Sequence, residues 1–288
     1  MKKILLGIAL LISSFALVVA QHMPQSRIES ASIYSEILNA DRAYTVFLPA
    51  SFDVQKDRKY PVLYLLHGMW GNNLDWANQG RVKDVMDRLL ASGEACEMII
   101  VTPDAGGGDP NVFQNGYFDM PNWKYESFFY EEFLPHIEKK YRVYGQKSKR
   151  AIAGLSMGGG GATSYAQRHP DMFCAAYTMS ALMDIPDAGA SNPQGKLGIL
   201  TRSVIENSCV KYVTSADEKR KEALRTIAWY VDCGDDDFLL DRNIEFYRAM
   251  RKAGIPCQFR VRDGGHDWEY WHSALYECLP FVSRNFRK

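Results

Sequence analysis

Arg150-Ala151-Ile152-Ala153-Gly154-Leu155-Ser156-Met157-Gly158-Gly159-Gly160-Gly161-Ala162 decides how the rest of the chain is read. An apolar run ends in Gly-x-Ser-x-Gly, and a helical pattern follows over 162–168. In such a strand–turn–helix setting the serine stands exposed at the carboxyl edge of a sheet, because flanking glycines permit a turn too sharp for larger side chains. The helix N-terminus beneath it favours negative charge, which suits a nucleophile passing through an oxyanion. The four glycines 158–161 would also suit a packing turn, and a bare five-residue match is weak because Gly and Ser are common. The strand before it and the helix after it give the match its weight.

Working outward, short apolar runs bounded by Gly, Pro, Asn or Asp read as strands and longer 3.6-period stretches as helices. Strands are expected over 28–38 and 43–48 with no helix between them, so they should pair antiparallel. Further strands are expected over 60–66, 98–101, 150–153, 173–179, 227–232 and 257–262. Helical stretches over 80–90, 128–141, 157–168, 238–252 and 268–281 separate most of these. The alternation predicts an α/β fold: a mainly parallel eight-stranded sheet with an antiparallel N-terminal strand and helices on both faces. Two stretches, 105–126 and 181–216, have no clean period and are expected to be lids or binding loops.

The first twenty residues stand apart from this pattern. Lys2 and Lys3, an apolar run from 4 to 19 and the small-residue site Val18-Val19-Ala20 read as a secretory signal peptide cleaved after Ala20. Residues 21–288 then form one domain in a secreted or periplasmic protein, with no linker or repeat dividing it. The 288-residue chain has 47% hydrophobic, 24% charged and 12% aromatic residues, which excludes disorder and low complexity. Lys+Arg and Asp+Glu are both 34, so no basic surface points to nucleic acid or, after cleavage, to a membrane. Six cysteines, Cys96, Cys174, Cys209, Cys233, Cys257 and Cys278, would be free to bridge after export, but a core this large does not need staples. Bridges and buried thiols remain equal alternatives, and no C-x-x-C pair suggests a metal site.

A serine hydroxyl needs a base to take its proton and a third group to orient that base. In this type of fold the partners follow in the order serine, acid, histidine, each just after a strand. Asp235-Asp236-Asp237 and Gly264-Gly265-His266 occupy those places. His266 is the candidate base, and His22, His67, His136, His169 and His272 read as structural. Asp237 is the candidate acid because it directly precedes the helical run Phe238-Leu239-Leu240, leaving Asp235 and Asp236 as solvated or capping residues. Two backbone N–H groups are needed for an oxyanion hole: Met157, after the nucleophile, and Met69, in the glycine loop Leu66-His67-Gly68-Met69-Trp70-Gly71. The aromatics Trp70, Trp76, Phe113, Tyr117, Phe118, Trp123 and Tyr125 would form a platform for a sugar or phenolic ring, with Trp70 and Trp123 the candidate substrate contacts.

Together Tyr64-Leu65-Leu66-His67-Gly68, Gly154-Leu155-Ser156-Met157-Gly158-Gly159, Cys233-Gly234-Asp235-Asp236-Asp237-Phe238-Leu239 and Gly265-His266-Asp267-Trp268-Glu269-Tyr270-Trp271 resemble the esterase D family of α/β-hydrolases. That family includes feruloyl and acetylxylan esterases, S-formylglutathione hydrolases and, more distantly, mycolyltransferases. The resemblance puts the acid at the aspartate preceding Phe-Leu, here Asp237, and implies a serine esterase working through an acyl-enzyme without metal or cofactor. With export, it implies removal of feruloyl or acetyl groups from plant polysaccharide. The alternatives it leaves are a short-chain carboxylesterase, a siderophore esterase, an S-formylglutathione hydrolase-like thioesterase and, in another class, a non-catalytic binding protein on the same fold.

Overall fold

The computed structural model describes residues 24–106, 116–185 and 196–287. The expected signal peptide over 1–20, together with His22 and Phe113, lies outside them. Eight strands form one sheet in the order β1-β2-β4-β3-β7-β8-β9-β10. They are β1 (Arg27–Ser35), β2 (Ala40–Leu48), β3 (Val62–Leu66), β4 (Ile99–Pro103), β7 (Arg150–Leu155), β8 (Ala175–Met179), β9 (Ala228–Gly234) and β10 (Cys257–Arg262). β2 runs antiparallel to both of its neighbours, β1 and β4. Every other pairing is parallel, so the expected sheet is present and β2 is its one reversed strand.

Successive side chains on a strand point to opposite faces, and β3 shows how this divides the core. Val62, Tyr64 and Leu66 join one buried cluster and Leu63 and Leu65 the other. The first cluster is covered by α3 (Tyr125–Phe128), a π-helical turn (Phe129–Phe133), α4 (Leu134–Lys140), α5 (Ser156–Arg168) and α9 (Leu240–Lys252). The second is covered by α2 (Val82–Ala91) and α10 (Trp268–Phe286), placed after the short α1 (Asp75–Asn78) and at the end of the chain. β3 is buried along its whole length, as befits a strand with helices on both sides.

The two stretches expected to lack regular structure contain some. The first holds the hairpin β5 (Asp119–Met120) and β6 (Trp123–Lys124). The second holds α6 (Lys196–Glu206) and α7 (Cys209–Thr214), the latter capped by the Ser208 hydroxyl on the Lys211 amide. Strands of two residues leave no periodicity to read, and the helices lie in a segment whose Gly, Pro and Asn content masks them. The charged helix α8 (Glu218–Arg225) follows. All six cysteines are described, and none is bonded to another. Among the described residues no helix is long and apolar enough to cross a membrane.

A buried polar node ties β9 to β10. Asp232 is fully buried and accepts hydrogen bonds from the Tyr177 hydroxyl at 2.6 Å, the Tyr270 hydroxyl at 2.5 Å and Arg262 Nη2 at 3.0 Å. The carboxylate leaves water only because three partners replace it. Removing one member of such a node strands the rest, so Asp232→Ala is expected to cost about 3–5 kcal/mol of unfolding free energy, read from urea denaturation. A loss near that of a surface substitution would mean the node is not intact in solution.

Candidate active site

Ser156 begins α5 with φ at 52°, in the left-handed region, directly after the extended end of β7. Non-glycine residues rarely hold that conformation, and they persist there only where their surroundings enforce it. The glycines of the motif do so by contact. A Cβ on Gly154 would overlap the Gly158 carbonyl, and one on Gly158 would overlap the carbonyls of His67 and Leu66. The first turn of α5 therefore lies directly against the end of β3, which leaves Ser156 partly exposed at the rim.

The candidate acid and base follow β9 and β10, which pair with each other. The Gly234 and Gly264 backbones meet so closely that a Cβ on Gly234 would overlap the Gly264 oxygen. Asp235 Oδ1 accepts the Gly264 N–H at 3.0 Å, so it stitches the two loops together, while Asp236 is exposed. His266 follows, and Asp267 caps α10 by accepting the Tyr270 N–H at 2.9 Å. His266 Nδ1 donates to Asp237 Oδ2 at 2.9 Å, and Nε2 accepts from the Ser156 hydroxyl at 3.0 Å. Asp237 is the aspartate of the three that reaches the histidine. Burial acts to raise its carboxyl pKa, but hydrogen bonds from His266, Ser180 and the Leu239 amide outweigh it, and the group is held below the usual carboxylate range.

The glycine loop forms the facing wall. Gly71 N–H donates to Gly68 O at 3.2 Å, closing a turn with Met69 and Trp70 at its centre and Trp70 at φ 68°. His67, fully buried, anchors it: Nδ1 donates to Gly68 O at 2.8 Å and Nε2 accepts the Ala105 N–H at 2.9 Å. That pairing requires the neutral ring, and burial lowers its pKa accordingly, against the Gly68 carbonyl and the charges of Asp104 and Asp75. Met69 lines the cleft beside Ser156. Met157 is the second residue of α5, where helix geometry leaves the amide without a partner inside the helix.

A cleft of about 630 Å³ opens over Ser156 and His266. Apolar side chains dominate its walls, Leu182, Ile185 and Leu239 among them, and Asp75 is the carboxylate at its edge. Leu182 and Ile185 belong to the second long stretch, which therefore supplies part of the wall. Trp70 lines the cleft with 47% of its surface exposed. Trp123 does not: it is 1% exposed, its ring stacks on Tyr125 at 5.5 Å, and its Nε1–H donates to Gly116 O. The expectation that it contacts substrate is corrected, because its indole N–H is spent inside the protein. Tyr117 and Tyr125 are likewise buried, and Tyr117 donates its hydroxyl to His67 O at 3.0 Å, bracing the glycine loop from beneath. Phe238 was not singled out in the sequence, yet it is 75% exposed and its ring sits 4.5 Å from that of His266. Its place directly after the acid was the available signal. Trp268 and Trp271, in the motif following His266, complete the wall. Among the described residues no group of His, Cys, Asp and Glu side chains is placed to hold a metal ion.

A family model, Esterase (Putative esterase), matches residues 35–282. A solved structure of a ferulic acid esterase is 72% identical and superposes with a TM-score of 0.89, covering 91% of this chain and 99% of that one. An esterase of Mycobacterium tuberculosis is 37% identical over 253 residues, covering 77% of this chain and 51% of that protein. The endo-1,4-beta-xylanase/feruloyl esterase of Xylanibacter ruminicola is 26% identical over 254 residues; 86% of this chain matches there, and it spans 30% of that protein. Against this background the contact at Gly158 is directly testable. Gly158→Ala is expected to destabilise the fold by on the order of 3 kcal/mol, since a backbone carbonyl cannot rotate away as a side chain can, and thermal unfolding would show it.

Proposed function

The chain belongs to the Esterase family, a carboxylic ester hydrolase on an α/β-hydrolase fold, and from that premise we propose that it releases feruloyl or acetyl groups from plant polysaccharide through an acyl-enzyme on Ser156. The observation that carries the reading is the unbroken relay from Ser156 Oγ through His266 to Asp237 at the base of an apolar cleft. His266 Nε2 takes the hydroxyl proton as Oγ attacks the ester carbonyl. Asp237 fixes the tautomer and stabilises the imidazolium that forms. The Met69 and Met157 amides hold the oxyanion of the tetrahedral intermediate. As the intermediate collapses, His266 returns the proton to the leaving alcohol. It then activates a water that hydrolyses the acyl-enzyme, which frees the acid and restores Ser156.

The cleft supports an aromatic acyl group. Trp70 and Phe238 are large, exposed and placed around the reacting serine and histidine, where they serve as surfaces for a planar phenolic ring. The apolar lining suits an uncharged ester, and 72% identity to a ferulic acid esterase supports the same choice. The Lys2-Lys3 start and the apolar run to Val19 support export with cleavage after Ala20, which brings the enzyme to its polysaccharide.

Turnover of methyl ferulate, acetylated xylan, a short nitrophenyl ester and S-formylglutathione separates the readings. Methyl ferulate or acetylated xylan is expected to be hydrolysed, and turnover of the thioester alone would overturn the assignment. Ser156→Ala is expected to lower kcat by on the order of 1,000-fold or more, and Asp237→Asn comparably, through loss of the correct histidine tautomer. Asp235→Asn keeps its acceptor oxygen and should leave kcat within about twofold, because its role is a single loop hydrogen bond. Equal losses at 235 and 237 would show the acid to be misplaced. Phe238→Ala is expected to raise KM for methyl ferulate several-fold while leaving the short nitrophenyl ester nearly unchanged, and parallel changes on both would remove Phe238 from the acyl site.

A further inference from the structure

The cleft over Ser156 has two walls of different chemistry. On one side stand Leu182, Ile185, Phe238 and Leu239, all apolar. They are carried by the chain after β8 and the approach to α9, which Asn243 joins by donating from Nδ2 to the carbonyls of both Ala181 and Leu239. On the other side stand Asp75, Gln79 and Trp268. These are carried by α1 and the start of α10, which meet where the Trp76 and Trp268 rings touch edge-on and where His272 Nδ1 donates to Gly80 O at 2.8 Å. Ala181 and Met183 belong to the core on one face of the sheet, and Trp76 and Trp271 to the core on the other. The two walls therefore rise over opposite faces, and His266 stands between them, with the Phe238 ring at 4.5 Å and the Trp271 ring at 4.9 Å.

The polar wall lies close to the nucleophile. A Cβ on Gly68 would stand 3.5 Å from that of Ser156, Gly71 N–H bonds to Gly68 O, and a Cβ on Gly71 would overlap Asp75 Oδ2. The carboxylate thus rests against the glycine loop, where Oδ2 accepts the Asn72 N–H at 3.1 Å. Among the described residues nothing bonds to Oδ1 or to the exposed Gln79 amide. Gln79 N–H donates to Asp75 O at 2.8 Å, so the two side chains are one helical turn apart and share a face. An apolar acyl group would strip water from both without replacing it. The phenolic hydroxyl of a ferulate is a ring and a propenoyl chain away from the reacting carbonyl, too remote for a carboxylate beside the loop. The hydroxyls of an esterified sugar are near neighbours of that carbonyl: they donate to a carboxylate and exchange hydrogen bonds with an amide, while the sugar's C–H face suits an indole ring. We propose that Asp75, Gln79 and Trp268 form the subsite for the leaving alcohol and select a sugar there by its hydroxyl groups, leaving the acyl group to the apolar wall. The proposal rests on the acyl-enzyme reading above and makes Asp75 and Gln79 specificity-determining residues.

The test is the ratio of kcat/KM on arabinose 5-ferulate to that on methyl ferulate, two esters that share an acyl group and differ in alcohol. Acetylated xylan against nitrophenyl acetate gives the same comparison for the acetyl group. Gln79→Ala alters an exposed side chain, and Asp75→Asn keeps an acceptor for the Asn72 N–H, so both variants should hold the parental thermal midpoint. Each is expected to lower the ratio roughly 3–10-fold, as for loss or weakening of one hydrogen bond to a hydroxyl. A ratio unchanged in both variants would overturn the proposal. So would a shift in the ratio of methyl ferulate to methyl cinnamate, which would place the phenolic hydroxyl at Asp75 instead. If the parent turns over both members of a pair and the variants leave their ratio alone, only the subsite fails; if it turns over neither ferulate ester nor acetylated xylan, the proposed activity fails and the inference falls with it.

Discussion

Everything at the site depends on how closely α5 approaches the end of β3. Helix and strand backbones meet at Gly158, where the carbonyls of Leu66 and His67 occupy the space a Cβ would take. This contact pins the first turn of the helix, and with it the left-handed backbone of Ser156. It also fixes the distance between the two sources of backbone N–H groups, because the loop carrying Met69 begins where β3 ends. A catalytic constellation is only as precise as the elements that carry it, and here the two elements touch without intervening side chains.

The acid and base arms are built on a different principle. β9 and β10 lie at the side of the sheet, and β10 is its partly exposed edge. β9 is buried along nearly its whole length, so β10 is the strand that depends most on polar ties to its neighbour. The Asp232 node with Arg262, Tyr177 and Tyr270 ties the two strands just below the loops. Above it, the close contact of Gly234 with Gly264 and the Asp235 hydrogen bond bring Asp237 and His266 together. The neutral His67 plays the matching part on the other wall, with both ring nitrogens engaged by backbone.

Much of this was legible in the sequence because its signals are local. The sheet, its reversed strand and the long helices follow from apolar periodicity, and the elbow and the His266 turn follow from glycine placement. The choice of Asp237 over its neighbours rests on one helical run, and in the structure it is Asp237 whose Oδ2 lies 2.9 Å from His266 Nδ1. What was not legible depends on the direction of side chains set by distant elements. Trp123 and Tyr117 have the composition of a binding platform, but both side chains are buried, and their polar atoms are used on Gly116 and His67. Phe238 reads as part of a helical run, yet α9 begins only at Leu240 and the Phe238 ring stands exposed beside His266. Ser180 gives no sequence signal at all, since its left-handed backbone and its contact with Trp271 are known only once the chain is folded.

The tryptophan rings give the cleft a property of a different kind. Of six tryptophans in the chain, Trp70, Trp268 and Trp271 line the cleft, and Trp76 meets the Trp268 ring edge-on at 5.2 Å. Trp268 in turn meets Trp271 at 5.3 Å, and Trp271 meets His266. Four of the six indoles therefore line the cleft or touch a ring that does. An occupant of the cleft changes the polarity and collisional surroundings of these rings directly. The enzyme carries its own optical reporter, able to follow filling and emptying of the site without a label and independently of whether the bound ester is chromogenic.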